Sequence, residues 1–132
     1  MMIDFDKKTV GIFGEDQAEK YIKKKKKCKI LARNKTMGHL EADIIAYNKE
    51  FIIFLEVKTR RIDKNNLARP AEAVNHEKQA NLLRFAYAYC KTLPLKLKEK
   101  TPRIDVCEVL VTQVKNKLKV CEINYIENAV TK

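Results

Sequence analysis

The sequence has no tryptophan, only three glycines and three prolines, and no apolar run of membrane-spanning length. Its longest strongly apolar run, residues 51–55, is far shorter than the roughly 20 residues that a transmembrane helix needs. Near the amino terminus, Asp4, Asp6, Lys7 and Lys8 interrupt the kind of apolar stretch that a signal peptide contains. We therefore expect a cytoplasmic protein with no membrane partner.

Paired cysteines are also missing. The four cysteines are scattered without a C-x-x-C pair, and His39 and His76 are the only histidines. A structural zinc site normally draws its ligands from closely spaced cysteine and histidine pairs. In a reducing compartment, unpaired cysteines stay as thiols, so we expect these four to be reduced and mostly structural.

The composition is that of a basic globular protein. Hydrophobic residues make up 45% of the chain, enough for a packed core, and 132 residues form most simply one domain, 1–132. The formal net charge is +11. Such an excess favours a polyanionic partner, with nucleic acid ahead of an anionic membrane, although lysine-rich surfaces also serve solubility alone.

Two adjacent runs, residues 41–47 and 51–60, organise the chain. Both are rich in apolar, β-branched and aromatic residues, and a short polar break separates them, which predicts two antiparallel strands. Three charged residues interrupt this otherwise buriable surface, namely Asp43, Glu56 and Lys58. Because an unpaired buried charge is costly, each of them needs a partner.

The face of the sheet that each charged residue occupies follows from the alternation along a strand. Glu56 and Lys58 are two residues apart and therefore share a face. Asp43 joins them if the hairpin loop has an even number of residues, for example Asn48-Lys49. An odd loop places Asp43 on the opposite face.

Two carboxylates and an ammonium on one face suggest a metal site for phosphodiester hydrolysis. Carboxylate oxygens hold Mg²⁺ or Mn²⁺, the metal stabilises charge on the scissile phosphate, and the lysine orients the attacking water or helps to deprotonate it. The spacing alone is not specific, because charged residues make up 34% of the chain. The alternative is an ordinary ion pair between Glu56 and Lys58 on a solvated face.

The rest of the chain supplies two helices and three further strands. The predicted elements are a helix at residues 9–24 with Thr9 as N-cap, a strand at 28–34, a turn at 35–38, the hairpin, a helix from Ala71 to about Lys91 after Pro70, and strands at 103–112 and 117–125. The order α-β-β-β-α-β-β predicts an α/β protein with a mixed sheet of about five strands flanked by helices. A helix between the third and fourth strands makes those two strands parallel neighbours.

Two more polar residues lie on apolar stripes of the predicted helices. Glu15 falls with Gly11, Ala18 and Ile22 at helical spacing, which places it on the inner face, and pairing with a nearby lysine is an equal alternative. Gln79 heads a stripe of the second helix and needs a buried partner, either the site carboxylates or a backbone group.

Basic residues cluster in two places. The five lysines at 23–27 include Lys23, Lys24 and Lys25, which would attract phosphate, although such a run is usually a solvated helix end. The second cluster lies in the polar segment 59–69, which we predict to be a loop beside the site. It offers four contacts to a phosphate backbone: Arg60, Arg61, Lys64 and Arg69.

Several motifs resemble, in order, those of the YraN-like family of small bacterial proteins. They are Gly14-Glu15 with Ala18, Asn34, residues 41–46, residues 54–60, residues 70–74, Lys78-Gln79 and residues 103–106. The resemblance runs from about Thr9 to Val111 and implies the restriction-endonuclease-like PD-(D/E)xK fold, similar to archaeal Holliday junction resolvases. It also implies catalytic roles for Asp43, Glu56 and Lys58. Glu15 would complete the metal shell and Gln79 would orient ligands.

The chain departs from the family pattern at three positions. Leu40 and Ala68 stand where the family usually has glycine, which affects the expected loop conformations. Leu83 stands four residues after Gln79, where relatives with a Q-x-x-x-Y motif have tyrosine. The acidic and basic site residues are unaffected.

The favoured hypothesis is a metal-dependent endonuclease that hydrolyses DNA phosphodiester bonds, with branched or structured DNA implied by the resolvase similarity. Asp43 and Glu56 would hold Mg²⁺ or Mn²⁺ together with the Val57 carbonyl, and Lys58 would position the attacking water. The alternatives are a catalytically silent nucleic-acid-binding module and an interaction subunit of a DNA repair or uptake machine. Binding alone requires no carboxylates facing phosphate, which counts against the module. A homodimer and a protein partner in DNA repair or recombination are both left open.

Overall fold

The computed structural model describes residues 3–62 and 76–129. Within these ranges the elements are α1 (Lys7–Lys24), β1 (Lys29–Met37), β2 (Leu40–Tyr47), β3 (Phe51–Arg61), α2 (His76–Cys90), α3 (Leu95–Lys98), β4 (Thr101–Val114) and β5 (Lys117–Ile126). This order confirms the predicted mixed α/β architecture, to which the short helix α3 is an addition. Lys64, Arg69 and the predicted start of the second helix at Pro70 and Ala71 lie outside the described residues.

The five strands form one mixed sheet in the order β1-β2-β3-β4-β5. β3 and β4 are parallel through a continuous register that starts at Phe51 and Thr101, and the other neighbouring strands are antiparallel. The predicted parallel pair is therefore confirmed. Because β3 lies at the centre of the sheet, residues 52–55 are fully buried.

Helix α1 begins two residues earlier than predicted. Asp6, not Thr9, is its N-cap, and the Asp6 Oδ1 accepts a hydrogen bond from the Thr9 backbone amide at 2.8 Å. A carboxylate suits the positive end of the helix dipole, and the bonds from Thr9 lower the pKa of Asp6. The helix ends at Lys24, as the sequence indicated.

Strand β1 is longer than predicted. It continues to Met37, so the expected turn is reduced to Gly38 and His39. Gly38 has a φ of 63°, a left-handed conformation that glycine adopts without steric cost. An irregularity between Ile30 and Ala32 breaks the simple alternation that the sequence suggested for this strand.

Each face of the sheet carries a hydrophobic core. Helix α2 covers one face, where the rings of Phe54, Phe85 and Tyr89 pack with centroids 5.5 to 6.0 Å apart. Helix α1 covers the other face through Ala18 and Ile22. Even-numbered apolar residues of β3 face α2 and odd-numbered ones face α1, so the side that carries Glu56 and Lys58 is the α2 side.

Gly14 brings α1 into direct contact with β3. A Cβ atom at this position would lie 1.9 Å from the Thr59 Oγ1, so only glycine permits this approach of helix and strand. The buried stripe of α1 consists of Val10, Gly14, Ala18 and Ile22. Ala18 and Ile22 are buried as predicted, whereas Val10 and Gly14 are buried in place of Gly11 and Glu15.

A buried polar network joins β4 to the end of β5 and to the residues that follow it. Asp105 is fully buried and accepts two hydrogen bonds from the Arg103 guanidinium, both at 2.9 Å, one from the Tyr125 hydroxyl and one from the Asn128 backbone amide. Burial raises the pKa of Tyr125, which keeps its hydroxyl a donor. A fully satisfied network of this kind has a structural role.

All four cysteines are free thiols, and burial raises the pKa of Cys107 to about 12. In residues 3–62 and 76–129, no helix has both the length and the apolar character needed to cross a membrane.

Candidate active site

The loop between β2 and β3 has an even number of residues. Tyr47 pairs with Ile52, and the Asn48 backbone amide donates to the Phe51 carbonyl at 3.0 Å, which leaves Lys49 and Glu50 as the two loop residues. The Asn48 side-chain oxygen accepts hydrogen bonds from the two backbone amides that follow Lys49, at 3.0 and 2.7 Å, and fixes this turn. The loop lies one position beyond the Asn48-Lys49 example, but its even length meets the predicted condition.

Asp43 and Glu56 lie opposite each other on β2 and β3. The paired residues of these strands end at Ile44 and Leu55, and one further step of the same register places Asp43 opposite Glu56. Here the acceptor opposite β3 is a side chain and not a backbone carbonyl. The Val57 amide donates to the Asp43 Oδ2 at 2.9 Å. The two carboxylates are therefore positioned by the sheet itself.

The carboxylate pair is electrostatically strained. The Glu56 side chain is only 5% exposed, and the Lys78 ammonium lies 3.1 Å from its Oε2. Burial, followed by the hydrogen bond and the charge of Glu56, raises the pKa of Asp43 to about 7, while the Val57 amide and Lys78 act in the opposite direction. Two carboxylates this close need a proton or a cation beside them.

Lys58 lies on the same face, further along β3. Its side chain is partly buried, and its neighbour in the parallel register is Glu108 of β4. Glu108 is buried, and Asn124 donates to its Oε1 at 3.0 Å, while its Oε2 has no hydrogen-bond partner among the described residues. A buried carboxylate therefore lies beside Lys58 in the sheet.

The two carboxylates open into a cleft of about 210 Å³. Its described lining consists of His39, Leu40, Glu41, Asp43, Glu56, Lys78, Asn81 and Leu82. Since a water molecule takes about 30 Å³ in the liquid, the cleft has room for an ion with part of its hydration shell. Carboxylate oxygens are the donors that Mg²⁺ and Mn²⁺ prefer, so the cleft fits such an ion.

Glu15 does not join this pair. It lies on α1, on the other side of the sheet, and its Oε1 accepts hydrogen bonds from Arg33 at 3.3 Å and Asn34 at 3.2 Å. This is the pairing alternative, with an arginine in place of the expected lysine. Within residues 3–62 and 76–129, no group of three or more His, Cys, Asp and Glu side chains is arranged to hold a metal ion. Of the three predicted metal-site carboxylates, only Asp43 and Glu56 therefore lie at the cleft, which Glu41 also lines.

Helix α2 presents Lys78 to the carboxylates. Among the described residues of this helix, Lys78, Asn81 and Leu82 line the cleft, and the half-buried Gln79 is not one of them. The apolar residues of α2 decide which side of the helix faces the sheet, because Leu82, Phe85 and Tyr89 form its contact with the core. The predicted stripe headed by Gln79 is therefore displaced toward the edge of that contact.

The lysine run lies at a distance from the cleft. Lys23, Lys24 and Lys25 are exposed at the end of α1. The lysine that follows them pairs with Glu127 at 3.0 Å, and Glu127 lies 3.9 Å from Arg103 near the start of β4. Glu56 and Lys58 pair with residues further along β4, so the lysine run and the cleft are separated along the sheet.

Arg60 and Arg61, which were predicted to lie in the loop after β3, lie at the end of β3 itself, because the strand continues to Arg61. Arg60 is partly buried and alternates onto the face of Lys58. Arg61 donates to the Phe5 carbonyl at 3.3 Å and to the Gln113 side chain, so it holds the segment before α1 against β4. This contact gives Arg61 a structural role that the sequence did not indicate.

Sequence reasoning missed Lys78, which pairs with Glu56 in the cleft, and Glu108, which lies beside Lys58 in the sheet. Lys78 precedes Leu82 by one helical turn, so the apolar spacing of α2 places it on the sheet side. Residues 104–111 of β4 are all buried, and they are apolar except for Asp105 and Glu108. An acidic residue inside an apolar strand is the same signal that singled out Asp43 and Glu56.

These features define a mixed α/β protein with paired carboxylates in a cleft between a central strand and a helix. The chain belongs to Uncharacterised protein family UPF0102, whose profile matches residues 14–109. This match confirms the resemblance to the YraN-like family.

Relatives in this family are similar over nearly the whole chain. The chain is 39% identical over 124 residues to a UPF0102 protein of Caldanaerobacter subterraneus subsp. tengcongensis, covering 94% of this chain and 96% of the relative. It is 40% identical over 124 residues to one of Caldicellulosiruptor saccharolyticus, covering 94% and 98%. A third, of Clostridium acetobutylicum, is 38% identical over 122 residues, covering 92% and 93%. These names give the family and no activity.

Proposed function

We propose that the protein is a metal-dependent endonuclease that acts in the cytoplasm on DNA phosphodiester bonds, with branched or structured DNA as its favoured substrate. The observation that carries this proposal is the 2.9 Å hydrogen bond from the Val57 amide to the Asp43 Oδ2, beside the buried Glu56. It aligns two carboxylates at a cleft, which is how proteins hold a divalent cation against a substrate phosphate.

The donor set suits Mg²⁺ or Mn²⁺. Mg²⁺ keeps several of its waters and is usually held by one or two carboxylates together with substrate phosphate. Asp43 and Glu56 would supply the carboxylates and Val57 a backbone carbonyl. The bound cation would supply Lewis-acid stabilisation of the phosphate and a more acidic water.

Residues of β2 and β3 position the reacting groups. The Val57 amide fixes the direction of the Asp43 carboxylate, and β3 holds Glu56 with almost no exposure. Lys58 follows Glu56 on the same face, where its ammonium positions the attacking water and stabilises the developing negative charge. In this mechanism the protein contributes orientation and fixed charges.

Charge supports DNA as the substrate. The net charge of +11 and the exposed lysines at the end of α1 favour a phosphate backbone. The preference for branched DNA rests on the similarity of the family to archaeal Holliday junction resolvases.

The test is a cleavage assay on DNA of four shapes. Purified protein is incubated with linear, single-stranded, flapped and four-way DNA of equal length, each with Mn²⁺, with Mg²⁺ or with a chelator. We expect metal-dependent cleavage that is fastest on the branched forms. A preparation of Asp43→Asn purified in the same way controls for contaminating nucleases.

Two results would overturn the enzymatic proposal. Cleavage that persists in chelator would exclude the metal mechanism. Salt-sensitive binding without cleavage of any DNA form in Mn²⁺ would favour the catalytically silent module or the interaction subunit.

A further inference from the structure

Lys78 places a positive charge at the carboxylate pair. Its ammonium lies 3.1 Å from the Glu56 Oε2, and its side chain is 45% exposed whereas that of Glu56 is 5% exposed. Lys78 belongs to the first turn of α2, a helix whose core contact with the sheet begins one turn later, at Leu82. The lysine therefore enters the cleft from the solvent side and is tied to an element that the core holds in place.

This ammonium neutralises charge at the place where a divalent cation is expected. Glu56 and Asp43 share the cleft, and Lys78 is the described cation that forms an ion pair there. A divalent ion at Glu56 and an ammonium at the same carboxylate oxygen repel each other. The two cations therefore compete for Glu56.

We propose that Lys78 is a resident cation that competes with the divalent metal for Glu56 and transfers to a substrate phosphate when DNA enters, so that DNA and metal bind cooperatively. This inference rests on the metal-dependent nuclease function proposed above. It assigns to Lys78 a positioning role that the sequence did not reveal.

The difference in exposure between Lys78 and Glu56 indicates which of the two side chains moves when DNA enters. Glu56 is fixed in the central strand and cannot follow the lysine, whereas the lysine side chain is flexible and nearly half exposed. A DNA phosphate at the mouth of the cleft offers this flexible ammonium a charge-assisted hydrogen bond in exchange for the carboxylate. Because coupling between two ligands is reciprocal, DNA then raises the affinity for metal by the same factor as metal raises the affinity for DNA.

The first experiment measures Mn²⁺ binding by calorimetry at constant pH, without DNA. Lys78→Met keeps the length of the side chain and removes its charge. We expect this variant to bind Mn²⁺ about five-fold or more tightly than the wild type. Lys91→Met is the matched control, because it makes the same change in net charge at an exposed position directly after α2. The control variant should bind Mn²⁺ as the wild type does.

The second experiment measures the coupling to DNA. A Lys58→Ala background slows cleavage, so Mn²⁺ affinity can be measured with and without an intact four-way DNA. We expect the DNA to tighten Mn²⁺ binding in this background, and the addition of Lys78→Met to abolish most of that effect. Lys78→Gln, which keeps a polar end, should behave like Lys78→Met because the charge is what matters.

The outcomes separate this inference from the function on which it rests. If neither wild type nor Lys78→Met binds Mn²⁺, the metal-dependent function fails, and the inference fails with it. If both bind Mn²⁺ with equal affinity, or if the effect of DNA survives Lys78→Met, the metal site stands and the role of Lys78 is refuted.

Discussion

The Val57 backbone amide donates a hydrogen bond to the Asp43 Oδ2 at 2.9 Å, at the point where the ladder between β2 and β3 ends. A backbone donor has no rotamers, so the Asp43 carboxylate is held beside Glu56 without the entropic cost of ordering a second side chain. The cost is electrostatic, and the raised pKa of Asp43 reflects it. The arrangement that suits a cation therefore lowers the stability of the fold when no cation is bound.

We predict that Asp43→Asn stabilises the metal-free protein at neutral pH. The folded-state pKa of about 7 lies above the ordinary value of 3.8, so stability falls as the pH rises from about 4 to about 7. Asparagine keeps an acceptor for Val57 and adds a donor toward Glu56. At about 1.4 kcal/mol per pKa unit, with part of the effect shared with Glu56, we expect a gain of about 1–3 kcal/mol at pH 7.5.

Denaturant unfolding in chelator at pH 4.5 and pH 7.5 checks this prediction. The gain should be small at the lower pH. Glu41→Gln, an exposed substitution at the rim of the same cleft, should have little effect at either pH. A destabilised Asp43→Asn at pH 7.5 would show that the carboxylate pair is not strained.

We predict that Gly14→Ala destabilises the fold by about 1–3 kcal/mol, because its Cβ would overlap with Thr59 and force α1 away from β3. Gly11→Ala is the control in the same helix. A Cβ at Gly11 has nothing within 4 Å, so that variant should gain up to about 1 kcal/mol from helix propensity. Thermal unfolding of both variants measures the contrast. Thr59→Ala should recover part of the loss in the Gly14→Ala variant, and equal effects of the two glycine substitutions would contradict the close approach.

The sheet could be predicted because its strands are apolar runs bounded by polar residues, and because the period of two assigns Glu56 and Lys58 to one face. For the loop between β2 and β3, the sequence showed only that an even number of residues would place Asp43 on the face of Glu56. The polar residues between β2 and β3 allow two neighbouring two-residue loops, and the hydrogen bonds accepted by Asn48 select the one at Lys49 and Glu50. Such a choice depends on a side-chain contact that the pattern does not contain.

The helices were harder to orient than the strands. In α1 the close approach of Gly14 to Thr59 turns Glu15 away from the buried contact and toward Arg33 of the edge strand β1. In α2 the aromatic core contact brings Lys78 to Glu56. A rotation of one residue position decides which polar group reaches a site, and helical periodicity alone does not resolve it.

We predict that DNA binding is predominantly electrostatic, with log affinity falling linearly with log salt. Replacing Lys23, Lys24 and Lys25 by glutamine should flatten the slope by up to about three units if each contacts a phosphate. The equivalent triple substitution at three exposed lysines of the β4–β5 hairpin is the control: Lys115, Lys117 and Lys119. Fluorescence anisotropy at several salt concentrations gives both slopes. Equal flattening by the two triples would mean that only the net charge matters.

We predict that Lys58→Ala slows cleavage by about 100-fold or more and leaves Mn²⁺ binding intact, because the ammonium acts on the water and the phosphate and not on the metal. Single-turnover cleavage and calorimetry separate the two effects. Lys117→Ala, at an exposed position of β5, should change neither quantity. Loss of Mn²⁺ binding in Lys58→Ala would show that the lysine organises the carboxylates instead.

Cleavage by Glu56→Gln, on whichever DNA form the wild type cleaves best, tests the metal mechanism most directly. Glutamine preserves the shape of a side chain that is only 5% exposed and removes the charge that holds a divalent cation. The account predicts that cleavage in Mn²⁺ falls by at least about 1,000-fold, while metal-free DNA binding persists or tightens because repulsion of phosphate is reduced. A Glu56→Gln variant that cleaves as fast as the wild type, or wild-type cleavage that a chelator does not affect, would contradict it.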